Sequence, residues 1–204
     1  MPLQPIDIPA EIKRLAHTPA AVDLIDTANE RIEKFMLSCD DVTENFVTCD
    51  FHLLDQSLTW IEQNNLLTGN RFCEFGSGFG VAALLTSLRG MESVGIEIEA
   101  NLVDQASTLA DSLGSSAEFF CGSFVPRGIS EILELGRDME HVETHEGDVY
   151  EEIGLGIDDF DLFFAFPWPG EHHFFEAVFE ASAAANSLLL SYRGRDGMHL
   201  LRKE

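Results

Sequence analysis

Three glycines at alternate positions, Gly76, Gly78 and Gly80, follow Glu74-Phe75 directly and lead into the apolar stretch Val81 to Leu88. Glycines so spaced let a chain turn tightly and bring backbone N–H groups against a ligand with no Cβ in the way, which suits a nucleotide-like group. Two departures separate this loop from the dinucleotide fingerprint G-x-G-x-x-G. Its sixth position is Val81, and a carboxylic acid, Glu74, stands two residues before the first glycine. A carboxylate there repels a pyrophosphate and attracts a cation. A second acid, Glu97, closes the apolar run Ser93 to Ile98, where an acid can accept both hydroxyls of a ribose.

The pair of acids therefore points to an adenosyl ligand whose tail is cationic and carries no phosphate. S-adenosylmethionine, with its amine and sulfonium, meets that description. A nicotinamide oxidoreductase ranks last, because Glu74 would have to tolerate a pyrophosphate.

A second constellation is Phe166-Pro167-Trp168-Pro169 with His172 and His173 shortly after. An aromatic mouth stiffened by proline can align an acceptor and exclude water, and Trp168 can stack on a cation. Pro167, Trp168 and His172 are the catalytic candidates, His172 as a base, although surface histidines at helix starts are common. His141 and His145 have a metal-like spacing of four, but Gly147 and the acidic surroundings read as a solvated loop, so no metal is expected. Cys39, Cys49, Cys73 and Cys121 form no C-x-x-C pair and read as reduced, mostly buried thiols.

The elements that must position these residues follow from periodicity. Apolar residues from Thr18 onward recur at helical intervals, with Thr18 as N-cap and Pro19 as the first helical residue, and a second amphipathic helix is expected over Asp50 to Leu67. These two amphipathic helices are expected before the first strand, and the Pro-containing arm before Pro9 reads as extended and poorly ordered, with Pro9 opening a short helix. Then short apolar runs alternate with helices, the pattern of βαβ units. Strands are expected at Arg71 to Phe75, Ser93 to Ile98, Ala117 to Gly122, Asp161 to Phe166 and Ser187 to Tyr192, with a short final strand at Met198 to Arg202. Helices are expected at Val81 to Leu88, Ala100 to Leu113 and Glu171 to Ala184. The fold class is α/β: a three-layer, Rossmann-like sheet, mostly parallel with an antiparallel final strand. Residues 1–68 form a helical cap within the same domain as a core over 69–204. Residues 126–159, with a helix at Ser130 to Leu135, read as an acidic insertion at the sheet edge where ligands enter.

The 204 residues suit one core, and 36 acidic against 12 basic residues leave a net charge of −24. Such a field repels phosphate backbones, so naked DNA or RNA is disfavoured as a partner. The surplus carboxylates read as a solvated surface rather than a face for a basic partner. With no signal-like N-terminus and no apolar run of membrane-spanning length, the expectation is a cytoplasmic protein with no membrane role, monomeric or a weak homodimer.

On these residues, 71 to 192 resemble class I S-adenosylmethionine-dependent methyltransferases: Glu74 to Gly80 is similar to their first motif, Gly95-Ile96-Glu97-Ile98-Glu99 to their acidic second-strand motif. Within that group, Glu74-Phe75-Gly76-Ser77-Gly78 followed by Gly95-Ile96-Glu97 looks like the bacterial relatives of the non-SET lysine methyltransferases. Asn45 to Asp50 is similar to the segment that closes over the cofactor there. The resemblance implies S-adenosyl-L-methionine as cofactor, held by Glu74, Phe75, Gly76, Ser77, Gly78, Gly80, Glu97, Ile98, Gly122, Ser123, Phe124 and Phe166. Two positions depart from the pattern. Ser123 stands where an acid usually meets the adenine amine, leaving a backbone group of Phe124 as a substitute. Phe166-Pro167-Trp168-Pro169 lacks the Asn of the Asn-Pro-Pro-Tyr motif, which disfavours a DNA base as acceptor and favours a small molecule or protein side chain. The alternative these departures leave open is a non-catalytic adenosyl-binding module.

Overall fold

The computed structural model describes residues 2–38, 49–129, 132 and 149–204. Its centre is a seven-stranded sheet in the order β1-β7-β6-β5-β2-β3-β4. The strands are β1 (Leu3–Ile6), β2 (Arg71–Phe75), β3 (Glu92–Glu97), β4 (Glu118–Cys121), β5 (Leu162–Ala165), β6 (Leu188–Tyr192) and β7 (Met198–Lys203). From β6 across to β4 all pairings are parallel, and β7 runs antiparallel to both β6 and β1. Helices α1 (Pro19–Ser38), α2 (Phe51–Gln63), α3 (Val81–Ser87) and α4 (Ala100–Leu113) come before β4, and α5 (Val149–Ile153) and α6 (His172–Ser182) after it.

Strand alternation divides the core in two. Phe72, Phe164, Leu188 and Leu190 join Ile25, Leu54, Leu84 and Leu109 of α1 to α4 on one face, whereas Cys73, Phe75, Phe163 and Leu189 join Phe174, Val178 and Phe179 of α6 on the other. A sheet covered on both faces needs strands that are apolar on both sides, which is why β5 reads Leu-Phe-Phe-Ala with every residue buried. This is the expected three-layer α/β architecture with an antiparallel last strand.

Helix starts follow their caps. Thr18 Oγ1 accepts from Ala21 N–H at 3.1 Å, and the Asp50 carboxylate accepts from Leu53 N–H at 2.9 Å. The second helix ends at Gln63, short of the expected Leu67, because Asn65 takes a positive φ of 52° that breaks the helical path.

The N-terminal arm corrects the sequence reading. It is a strand: Leu3 to Ile6 pair with Lys203 to Leu200, so a strand precedes both helices. Pro5 is tolerated because β1 is an edge strand, where a missing N–H faces no neighbour. Pro9 does precede a short 3₁₀ turn, Ala10–Arg14. The expected helix over 130–135 and the tract holding His141 and His145 lie outside the described residues, apart from Ile132. Among the described residues no helix is long and apolar enough to cross a membrane, and no group of His, Cys, Asp or Glu side chains has a metal-binding arrangement.

Candidate active site

The chain runs from β2 outward to β3 and β4, then returns to build β5 and β6 on the other side of β2. Strand order thus reverses between β2 and β5, and the crevice beyond the carboxyl ends of such strands is where open α/β sheets bind ligands. Phe75 pairs with Ala165 at that end. The glycine loop after Phe75 and the Phe166 to Pro169 mouth consequently emerge side by side, though far apart in sequence.

Gly76, Gly78 and Gly80 all have positive φ, at 67°, 52° and 70°. The reasons differ. A Cβ on Gly76 would meet no protein atom within 4 Å, so that position opens onto free space, whereas a Cβ on Gly80 would lie 2.1 Å from the Phe119 ring. Gly95 of β3 is likewise tight against that ring and against Ser77, which is buried and directed into this packing. The loop is braced by Ser77 N–H donating to Ile96 C=O at 3.0 Å and by Gly80 N–H donating to Ser77 C=O at 2.7 Å. Phe35 of α1 lies near Phe79 edge to face, with ring centres 5.4 Å apart.

Of the two acids, Glu97 meets this loop and Glu74 the helix that follows it. Glu97 Oε2 accepts from Gly78 N–H at 2.8 Å and its Oε1 from Glu99 N–H at 3.0 Å, so the carboxylate bridges the glycine loop and the turn after β3. Glu74 is turned onto α3, where its Oε2 accepts from Ala83 N–H at 2.9 Å. Burial pushes the Glu74 carboxyl up to about 8; the Ala83 and Ala82 N–H groups oppose the shift, and the Glu97 charge adds to it. Burial first, then the charges of Glu74 and Asp50, hold the Cys49 thiol far above its ordinary value. Asn45 to Thr48 lie outside the described residues.

The remaining expected ligand residues divide by what they expose. Ile98 is exposed at the end of β3, and Gly122 N–H donates to Glu97 C=O at 2.9 Å. Ser123 is buried, with its Oγ accepting from Val125 N–H at 3.2 Å. The Phe75 and Phe124 rings stack on one another inside the core, centres 4.6 Å apart, and Phe124 C=O accepts from Tyr150 Oη at 2.7 Å.

On the β5 and β6 side lies a cavity of about 600 Å³. Phe166, Pro167, Trp168, Pro169 and His172 line it, as expected from their strand-end position, and so does Arg193-Gly194-Arg195-Asp196, which the sequence reading passed over. A signal was present: two of only twelve basic residues stand within three positions, just after an apolar strand. Phe166 packs on Tyr192 with ring centres 5.0 Å apart, and Arg193 is paired with Glu176 of α6. Burial first, then the Arg193 charge, lowers the pKa of His172, which favours the neutral imidazole a base requires.

No protein-family model matches the chain, and no curated protein matches it in sequence. Solved structures do match. A methyltransferase from Geobacter sulfurreducens superposes with a TM-score of 0.52 at 15% identity, over 93% of this chain and 92% of that one. The fold is that of the Rossmann-like methyltransferases. A putative caffeoyl-CoA O-methyltransferase from Staphylococcus aureus matches over 90% of this chain and 99% of its own, with a TM-score of 0.53 and 13% identity. An RNA methyltransferase from Salinibacter ruber, in complex with S-adenosyl-L-homocysteine, gives 0.50 and 16% over 78% of this chain and 92% of that one.

Proposed function

We propose that the protein is an S-adenosyl-L-methionine-dependent methyltransferase acting on a small molecule or a protein side chain. The observation that carries this reading is the meeting of Glu97 with the glycine loop at the strand-order reversal, beside a cavity large enough for an acceptor. The residues fit the cofactor. Gly76 leaves open the space a Cβ would fill, and each Glu97 oxygen, having accepted one backbone N–H, retains a lone pair for a ribose hydroxyl. The bound cofactor supplies an electrophilic methyl on a sulfonium, next to which a negative environment is favourable.

In this reading Glu74 acts from behind the loop: it fixes the start of α3 and contributes negative charge toward a cationic tail once ionised. Phe166, Pro167 and Trp168 shape the acceptor's approach and exclude water, and neutral His172 accepts the proton the acceptor loses. α1 and α2 cap one face of the sheet, to which β1 itself contributes a strand. The finer likeness to bacterial relatives of non-SET lysine methyltransferases rests on the wording of the glycine loop and of Gly95-Ile96-Glu97.

Isothermal calorimetry with S-adenosylmethionine and S-adenosylhomocysteine tests the reading, and absence of binding removes it. Glu97→Ala is expected to weaken S-adenosylhomocysteine by ~1 to 3 kcal/mol, the value of hydrogen bonds to a charged group. Unchanged affinity refutes the ribose role. Cofactor binding without label transfer to any acceptor in a lysate would instead favour a non-catalytic adenosyl-binding module.

A further inference from the structure

The cavity beside the glycine loop has an uneven distribution of cations. In a chain of net charge −24, it brings together Arg193 and Arg195. Three arginines elsewhere sit on carboxylates: Arg71 on Glu92, Arg89 on Asp55 and Glu62, Arg127 on Glu151. Arg195 is not held in this way. It is exposed at the cavity rim and, among the described residues, has no acidic partner, although Asp196 is its neighbour in sequence and also lines the cavity. Arg193 gives one guanidinium nitrogen to Glu176, yet its Nε–H is buried with no acceptor among the described residues. A buried donor on a cation is costly to leave unmet, and a guanidinium fork matches the two oxygens of a carboxylate or phosphate. Apolar Phe166, Trp168 and Pro169 share the lining.

We propose that this cavity takes an acceptor with a ring-sized apolar body lying against Phe166 and Trp168, and an anionic group, carboxylate or phosphate, held by Arg195 beside Arg193. The inference deepens the methyltransferase reading and rests on it for the word acceptor; the anion preference of the cavity stands on its own residues. The arginines act locally, because a fork in contact with its anion outweighs the screened repulsion of distant surface carboxylates, while Glu176 is already paired with Arg193 and Asp196 is, among the described residues, the one acid in the lining.

The test is ligand-observed NMR on the full chain with matched fragments: benzoate, indole-3-acetate and phenyl phosphate against benzamide, indole-3-acetamide and benzylamine, each with and without S-adenosylhomocysteine. The expected result is that the anions bind about tenfold more tightly than the neutral amides and the cationic benzylamine, as charge-assisted fork contacts allow. The larger preference, for the carboxylates or for phenyl phosphate, identifies the group. Arg195→Gln, a change at an exposed position, is expected to abolish the preference while leaving S-adenosylhomocysteine affinity unchanged. The proposal is overturned if no anion binds the wild type, if amides or benzylamine bind as well as the anions, or if Arg195→Gln keeps the preference. Failure of S-adenosylhomocysteine to bind would sink the cofactor reading alone, since the anion preference is read separately in its absence.

Discussion

At the scale of single residues, Glu74 makes the protein sensitive to pH in a direction opposite to most carboxylates. Its folded pKa of about 8 lies above the ordinary 4.5. Below the ordinary value both folded and unfolded chains carry the proton, and the group costs nothing. Between 4.5 and 8 the folded chain retains a proton that the unfolded chain has released, so stability attributable to Glu74 falls as pH rises and is fully lost above the folded value. Urea unfolding across that window is expected to show this contribution, and Glu74→Gln to flatten it; an identical slope in the variant would refute the assignment. This orientation was not legible in the sequence. Strand alternation places Glu74 on the same face as Phe72, but whether its carboxylate reaches forward to a ligand or sideways to Ala83 depends on where α3 starts.

At the scale of elements, α2 and α3 are joined through a buried ionic cluster. Asp55, 1% exposed, accepts from Arg89 at the end of α3, and His17 Nδ1 lies 2.6 Å from its other oxygen. Arg89 also donates to Glu62 at 2.7 Å and to Thr59 at 3.0 Å. Arg89→Ala would leave the Asp55 carboxylate with His17 alone, and the expected loss is about 3 kcal/mol in chemical unfolding, characteristic of a broken buried pair. A loss near zero would mean that the cluster is interchangeable with packing. Legibility also differed between elements. β2 was bounded correctly from Arg71 to Phe75 because a glycine turn ends it sharply, and α4 because Gly114 at φ 63° closes it. β1 escaped because it is four residues long, contains a proline and gains its order from β7 at the far end of the chain. The glycine loop and Glu97 were visible because both lie at strand ends of one βαβ unit; Arg195 was not, because its neighbours are brought by β5 and α6.

At the scale of the whole molecule, the charge of −24 acts on whatever diffuses toward the crevice. S-adenosylmethionine carries a net positive charge and S-adenosylhomocysteine none, so under the proposed function the field accelerates capture of the first more than the second. Stopped-flow association is therefore expected to slow for S-adenosylmethionine as the ionic strength rises past about 0.15 M, where the Debye length is ~8 Å, and to change little for S-adenosylhomocysteine. Equal salt dependence for the two would show that the surface field does not reach the binding path.

The pairing of Leu3 with Lys203 sets the two ends of the chain next to each other, with Glu204 N–H lying 3.4 Å from Pro2 C=O. Lys203 lies near Leu188, where β6 begins, so both ends emerge from the floor of the sheet while the crevice opens at its roof. A tether, label or appended domain at either end would hang away from the entrance, and immobilisation through the tail would leave the working face presented to solution.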